Sequence, residues 1–396
     1  MEPEPPRNPR KILVSRPGRL GDLLLAVPAL RALKSSFPAA EIALITQPRL
    51  RRLASRYAYV DRFLAFPGFP GMPSLIGRRQ TVAFLRRCQD EGYDLVLQCQ
   101  GREPAAAIFA SLLGGRFIAG YCRSPEVAAY LDRCLDWQDD EPDIRRLLRL
   151  VAAVGATARD ERLEFPLWRE DVAELDRHDE LRAALAADRR LVGLHPGAGA
   201  PAKHWSPRSF AALADALAIA HGCTIILLGG SADHAAVCDV KAAARTPRIV
   251  VAKPLSLGGL AALLARLDLY IGNDSGPSHL AVAMDTPSIA IFGPANPARW
   301  APLDPVRHKA ISAGVECSPC DYAVCPLDHR CMTRVTVEAV VGLAGELLAA
   351  PARSSRVAPV SHQSDRQLLP VVAAPTGSAR GGDPSVPVGQ FQFAHR

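Results

Sequence analysis

The sequence predicts an α/β protein made of two doubly wound parallel sheets that face one another across a cleft. Three observations lead there. Short apolar runs of strand length alternate with longer helical runs over residues 11–121. The alternation restarts at residue 190 and continues to residue 293. Between the two blocks, residues 140–190 turn helical and charged, through DIRRLLRLVAAVGA and EDVAELDRHDELRAALAADRR, which marks a boundary.

In the first block, KILVS (11–15) reads as a strand and GDLLLAVPALRALKSSFP (21–38) as a helix. EIALIT (41–46), DRFLAFP (61–67), YDLVLQC (93–99) and RFIAGY (116–121) continue the strands, with a helix at 76–92. In the second block the strands are RLVGLH (190–195), CTIILLGG (223–230), RIVVA (248–252), LYIGN (269–273) and PSIAIFG (287–293). Helices at 207–221, 232–245 and 256–267 separate them, and another follows Asn273. The organisation expected is a flexible N-terminus at 1–10, a first domain at 11–165 and a second at 166–350. The segment 351–396, rich in Pro, Ser, Gly and Ala without a period, reads as a disordered tail.

The totals agree with two domains. A chain of 396 residues, 48% hydrophobic, exceeds one ordinary core and can bury two. No run reaches the roughly 18 apolar residues of a membrane span. The N-terminal MEPEPPRNPRK lacks the apolar centre of a signal peptide, so a cytoplasmic protein is expected. Ten cysteines in a chain of this size and setting are expected to be mostly reduced. The net charge of +7 suits an anionic partner, a phosphorylated substrate or an acidic membrane surface. Aromatic residues are only 6% and do not interleave with basic ones, which argues against nucleic acid.

Four stretches carry chemistry. In SRPGRLGDLLLAVPAL (15–30), Asp22 stands at a helix start beyond a strand end. A carboxylate suits that position as a cap, and it also suits a general base facing a cleft. In LHPGAGAPAKHWSPRSF (194–210), small residues let backbone N–H groups approach a ligand, and Lys203 supplies a point charge for phosphate. Ser206 and Pro207 then open a helix as N-cap and first residue. In NDSGPSHLAVAM (273–284), Ser275 or Gly276 caps a helix with Pro277 in its first turn. Its N–H groups at Gly276, Ser278 and His279 would form an anion site. Asp274 beside a phosphate would repel it, so its carboxylate is expected to turn aside and anchor the loop. Finally, Cys317, Cys320, Cys325 and Cys331 are spaced C-x2-C-x4-C-x5-C, a clustering that suits a structural metal.

Taken together these stretches resemble glycosyltransferase family 9, the ADP-heptose:lipopolysaccharide heptosyltransferases. The resemblance covers about residues 11–347 and rests on GRLGDLLLAVPALRALK, HPGAGAPAKHWSPRSFAALADAL and GNDSGPSHLAVAMDTPSIAIFGPANPARW. It implies a GT-B fold, with a Rossmann-like acceptor domain first and a Rossmann-like nucleotide-sugar domain second. It further implies an inverting transfer that requires no metal or other cofactor. Asp22 corresponds to the general base and Lys203 to the lysine on the donor diphosphate. Asp274, Ser275, Gly276 and His279 match the donor-binding motif, and Asp233 falls near the acidic ribose contact. Arg102 and Arg123 are candidates for acidic groups on the acceptor. The implied partners are ADP-heptose and an anionic glycolipid, reached at the cytosolic face of the inner membrane. An alternative keeps the family but changes the nucleotide sugar or the acceptor glycan. A nucleotide-binding oxidoreductase would need a glycine fingerprint that the first block lacks. A metal- or redox-sensing protein would use the four cysteines.

Overall fold

The computed structural model describes residues 3–72, 77–320 and 322–349. The first sheet holds β1 (Lys11–Ser15), β2 (Glu41–Thr46), β3 (Arg62–Ala65), β4 (Leu95–Gln98), β5 (Ile118–Cys122) and β6 (Arg133–Asp136) in the order 3-2-1-4-5-6. The second holds β7 (Leu191–His195), β8 (Thr224–Leu227), β9 (Ile249–Val251), β10 (Leu269–Asn273), β11 (Ser288–Phe292) and β12 (His308–Ser312) in the order 12-11-10-7-8-9. Every pairing is parallel. Helices cover both faces of such sheets, which is why the central strands are apolar along their whole length. β4, β5, β7, β10 and β11 are buried at every residue.

The helices that position the site are α1 (Leu20–Ser36), α2 (Arg78–Glu91), α3 (Asp143–Ala152), α4 (Arg169–Leu175), α5 (Pro207–His221), α6 (Leu257–Leu264), α7 (Gly276–Ala283) and α8 (Pro297–Trp300). α3 packs on α1, and α4 packs on α6. α1 and α7, one from each half, pack directly against one another. One buried apolar cluster therefore runs through both halves, from Ile12 and Leu24 to Leu280 and Ala281.

The alternation of strand and helix stands as expected, with additions at the margins. β6 and β12, each at a sheet edge, follow no apolar run. RCLD and HKAIS are short, polar and only partly buried. A helix at Pro104–Ser111 is a further addition, in a stretch that opens on Gly101 and Pro104. Cys122 and Cys134 form a disulfide that ties β5 to β6, and the other eight cysteines are free thiols. The expected tail, 351–396, lies outside the described residues. Among the described residues no helix is long and apolar enough to cross a membrane.

Candidate active site

In each sheet the strand order reverses beside the first strand, between β1 and β4 and between β7 and β10. Loops leaving the carboxyl ends of such strands diverge there and open a crevice for ligands. The three chemical motifs occupy these points. Residues 16–22 leave β1, residues 196–205 leave β7, and residues 274–279 leave β10.

Asp22 sits in the first turn of α1, at its third residue and not at the cap, which is Arg19. Its Oδ2 accepts a hydrogen bond from the Arg19 backbone N–H at 2.7 Å. Its Oδ1 lies 3.3 Å from Arg16 Nη2, and Arg16 Nε donates to the Asp22 carbonyl at 3.2 Å. Its side chain stays 20% exposed, so the carboxylate is fixed but reachable.

The β7 loop and the β10 turn are held as one unit by Asn273, which is fully buried. Its Nδ2 donates to Pro196 O at 2.9 Å, and its Oδ1 accepts from the Trp205 N–H at 3.1 Å. This brace sets Lys203 against the helix start: Lys203 Nζ lies 2.5 Å from Asp274 Oδ2. Asp274 is 5% exposed and Lys203 about a third exposed, so the pair presents its cationic side outward. Ser206 caps α5 by accepting from the Ser209 N–H at 3.0 Å, with Pro207 first in the helix.

Ser275 is the N-cap of α7, and Pro277 is its second residue. Ser275 makes no capping bond to its own helix, and its hydroxyl is buried without a hydrogen-bond partner among the described residues. The anion site differs from expectation in one donor. The Ser278 N–H donates to Ser275 O at 3.1 Å, so it is not free for a ligand. His279 is buried, and burial lowers its pKa, so the imidazole is neutral near pH 7.

Two glycines let the domains meet at this place. A Cβ on Gly21 would fall 2.6 Å from His279 Cδ2, and one on Gly276 would fall 2.9 Å from Leu20 Cδ2. The start of α1 and the start of α7 are thus in contact, and Asp22 and His279 interact electrostatically across the seam.

Asp233 lies at the rim of the same crevice, beyond β8. Its Oδ2 accepts from the Gly230 N–H at 2.9 Å and lies 3.5 Å from His195 Nε2. The bond from His195 lowers the Asp233 pKa against the cost of burial. Arg102 and Arg123 come together on the first domain, both paired with Asp139: Arg102 Nη1 to Oδ1 at 2.5 Å, and Arg123 Nη2 to Oδ2. Trp137 Nε1 donates to the same carboxylate at 3.0 Å.

The four cysteines line one small cavity of about 30 Å³, but among the described residues no group of three or more ligating side chains is arranged to hold a metal ion. A structural metal at these four thiols therefore stays an expectation that this geometry does not confirm. Their loop instead touches the lysine turn. The Ala202 N–H donates to Ala323 O at 3.0 Å, and His329 Nε2 meets Ala202 O at 2.6 Å. A larger cavity of about 870 Å³ follows the domain seam below the site, and of the residues discussed above it is lined by His279 alone.

Sequence reasoning missed Arg16, Asn273, His195, Asp143 and Arg299. Arg16 and Asn273 lie inside the motifs, but nothing in spacing distinguishes a buried polar side chain from a solvated one.

The family model for glycosyltransferase family 9 (heptosyltransferase) matches residues 81–330. Lipopolysaccharide heptosyltransferase 2 of Escherichia coli K12 is 29% identical over 312 residues, covering 76% of this chain and 86% of that one. The crystal structure of a family 9 glycosyltransferase from Veillonella parvula superposes with a TM-score of 0.68 at 20% identity, covering 88% of this chain and 99% of that one. The structure of E. coli ADP-heptose lipopolysaccharide heptosyltransferase II gives 0.66 at 21%, covering 86% and 98%. Two parallel six-stranded sheets with these neighbours make the fold GT-B. The chain belongs to glycosyltransferase family 9, the heptosyltransferases.

Proposed function

We propose that this protein is an inverting glycosyltransferase that moves heptose from ADP-heptose to the inner core of lipopolysaccharide. The reading is supported above all by the meeting of Asp22, from one domain, with the Ser275–His279 helix start of the other. An inverting displacement needs one proton removed from the attacking hydroxyl and negative charge stabilised on the leaving diphosphate. Asp22 takes the proton, with Arg16 and the Arg19 N–H fixing its two oxygens. Lys203, the Ser275 hydroxyl and the positive end of α7 receive the diphosphate. Asp274 holds Lys203 in place. Asp233 accepts from the ribose hydroxyls of the donor, and neutral His279 donates to a diphosphate or sugar oxygen. Arg102 and Arg123 contact acidic groups of the glycolipid acceptor. No metal enters a step, and the enzyme works at the cytosolic face of the inner membrane.

The test is ADP release from ADP-heptose in the presence of a heptose-free inner-core acceptor, with and without a chelator. Transfer that survives chelation, with inverted anomeric configuration in the product, is expected. Release from a UDP- or GDP-sugar but not from ADP-heptose would overturn the donor assignment.

A further inference from the structure

A line of charged side chains crosses from the second domain to the first and ends on Asp22. Arg299, in α8, places Nη2 3.3 Å from Asp143 Oδ1. Asp143 begins α3 in the first domain and is 1% exposed. The same oxygen lies 2.7 Å from Arg146 Nη1, and the other oxygen is paired with Arg16 Nη2. That Arg16 nitrogen is the one 3.3 Å from Asp22 Oδ1. Arg16 also reaches the Cys99 carbonyl and is wholly buried, so its position is set by its partners and not by water.

The crossing has a second strand. Asn296 Nδ2, at the start of α8, donates to Asp140 Oδ1 at 2.8 Å. Arg299 lies 4.9 Å from the Trp137 ring centre and 4.3 Å from that of Trp300, a tryptophan from each domain. Its Nε is buried without a partner among the described residues, so the guanidinium is aimed by Asp143 and the two rings.

The energetics make Asp143 sensitive to Arg299. Burial opposes its ionisation, and Arg16, Arg299 and Arg146 together outweigh burial, leaving its pKa below the ordinary carboxylate value. If Arg299 withdraws, the carboxylate loses one of three cations in a dry setting. Its remaining pull falls on Arg16 and Arg146, and Arg16 is the one shared with Asp22.

We infer that Arg299, reaching across from the second domain, is a positioning residue for Asp22. Seated on Asp143, it balances that carboxylate and leaves Arg16 held against Asp22. Without it, Asp143 draws more strongly on Arg16, and the hold of Arg16 on Asp22 weakens. The setting of the proton-accepting group thus draws on a residue of the opposite domain. The inference rests on Asp22 being the base of the proposed transfer.

Arg299→Met and Arg299→Lys, compared with the unaltered protein, test it. Arg299→Met is expected to keep ADP affinity by calorimetry and both KM values within about threefold, while kcat falls about 10- to 100-fold through misalignment of the base. Arg299→Lys restores part of kcat, because a cation returns to Asp143. In an Asp143→Asn background, Arg299→Met costs nothing further. If Asp143→Asn does not fold, the two Arg299 variants decide alone. Unchanged kcat in Arg299→Met overturns the inference, as does a loss confined to acceptor KM. A protein that transfers from no nucleotide sugar overturns the proposed function and the inference with it, whereas normal transfer by Arg299→Met overturns only the inference.

Discussion

Lys203 Nζ lies 2.5 Å from Asp274 Oδ2, so the lysine assigned to the donor diphosphate is already paired before any ligand arrives. The pair joins the loop after β7 to the turn after β10, and Asn273 fastens the same two segments by their backbones. Lys203 is therefore held ready at little entropic cost. Replacing it with Met should weaken ADP binding about 10- to 100-fold, the usual worth of a charge-assisted bond. It should also lower the melting temperature, since Asp274 is left buried and unpaired. Adding Asp274→Asn should recover stability but not ADP affinity, and calorimetry with thermal melting separates the two.

Asp22→Asn keeps an oxygen for the Arg19 N–H, so α1 retains its first-turn bond. The amide cannot accept a proton at neutral pH. Transfer should fall on the order of 100- to 10,000-fold while ADP still binds. Near-normal turnover would remove Asp22 as the base.

Asp139 occupies both arginines proposed for the acceptor. Arg123→Ala should raise the KM for an anionic acceptor and leave ADP affinity alone. Asp139→Asn should do the opposite and lower that KM, because it frees two cations. Equal effects in the same direction would show that the three residues only hold the loops after β4, β5 and β6 together.

His329 bonds to the carbonyl of Ala202, next to Lys203, from a left-handed backbone conformation. His329→Gly tolerates that backbone and deletes the contact. Donor KM should rise about threefold to tenfold, the worth of one hydrogen bond, with kcat unchanged. An unchanged donor KM would limit the cysteine loop to a packing role.

Stability should fall in two separate acid windows. Burial lowers the His308 pKa to about 4, and burial lowers that of His279 as well. An unfolded histidine titrates near 6.5, so between about pH 6.5 and 4 the unfolded chain takes up protons that the folded chain refuses. Stability is full above that window and declines through it, by on the order of 3 kcal/mol for His308. Asp143 and Asp233, with lowered pKa values, add their loss only below about pH 4. His308→Gln should flatten the upper window alone in urea unfolding followed against pH, and an unchanged slope would exclude His308 as its source.

Most of the architecture is legible in the sequence. KILVS, EIALIT and LYIGN are apolar along their length because a parallel strand is buried on both faces, and that signal is local. The edge strands RCLD and HKAIS carry no such signal, because most of their residues are not fully buried and need not be apolar. The helix start at Ser206 was legible too, since a serine cap followed by proline is a local pattern, whereas the choice between Ser275 and Gly276 was made only by the backbone. Asp22 was found at a helix start but belongs to its first turn, a difference of three residues that only the backbone resolves.

The chain order of residues therefore determined two doubly wound domains, the loops that face the cleft, and the acid, lysine and helix start that those loops carry. Tertiary structure alone decided who meets whom. Arg16 and Asp143 are 127 positions apart, and Asp143 and Arg299 are 156 apart, yet they share one buried charge network. No spacing rule reaches that far, because a buried charge is satisfied by whichever opposite charges the packing of sheets and helices brings within a few ångströms. That packing is a property of the whole fold, and it is what connects Asp22 to the domain opposite.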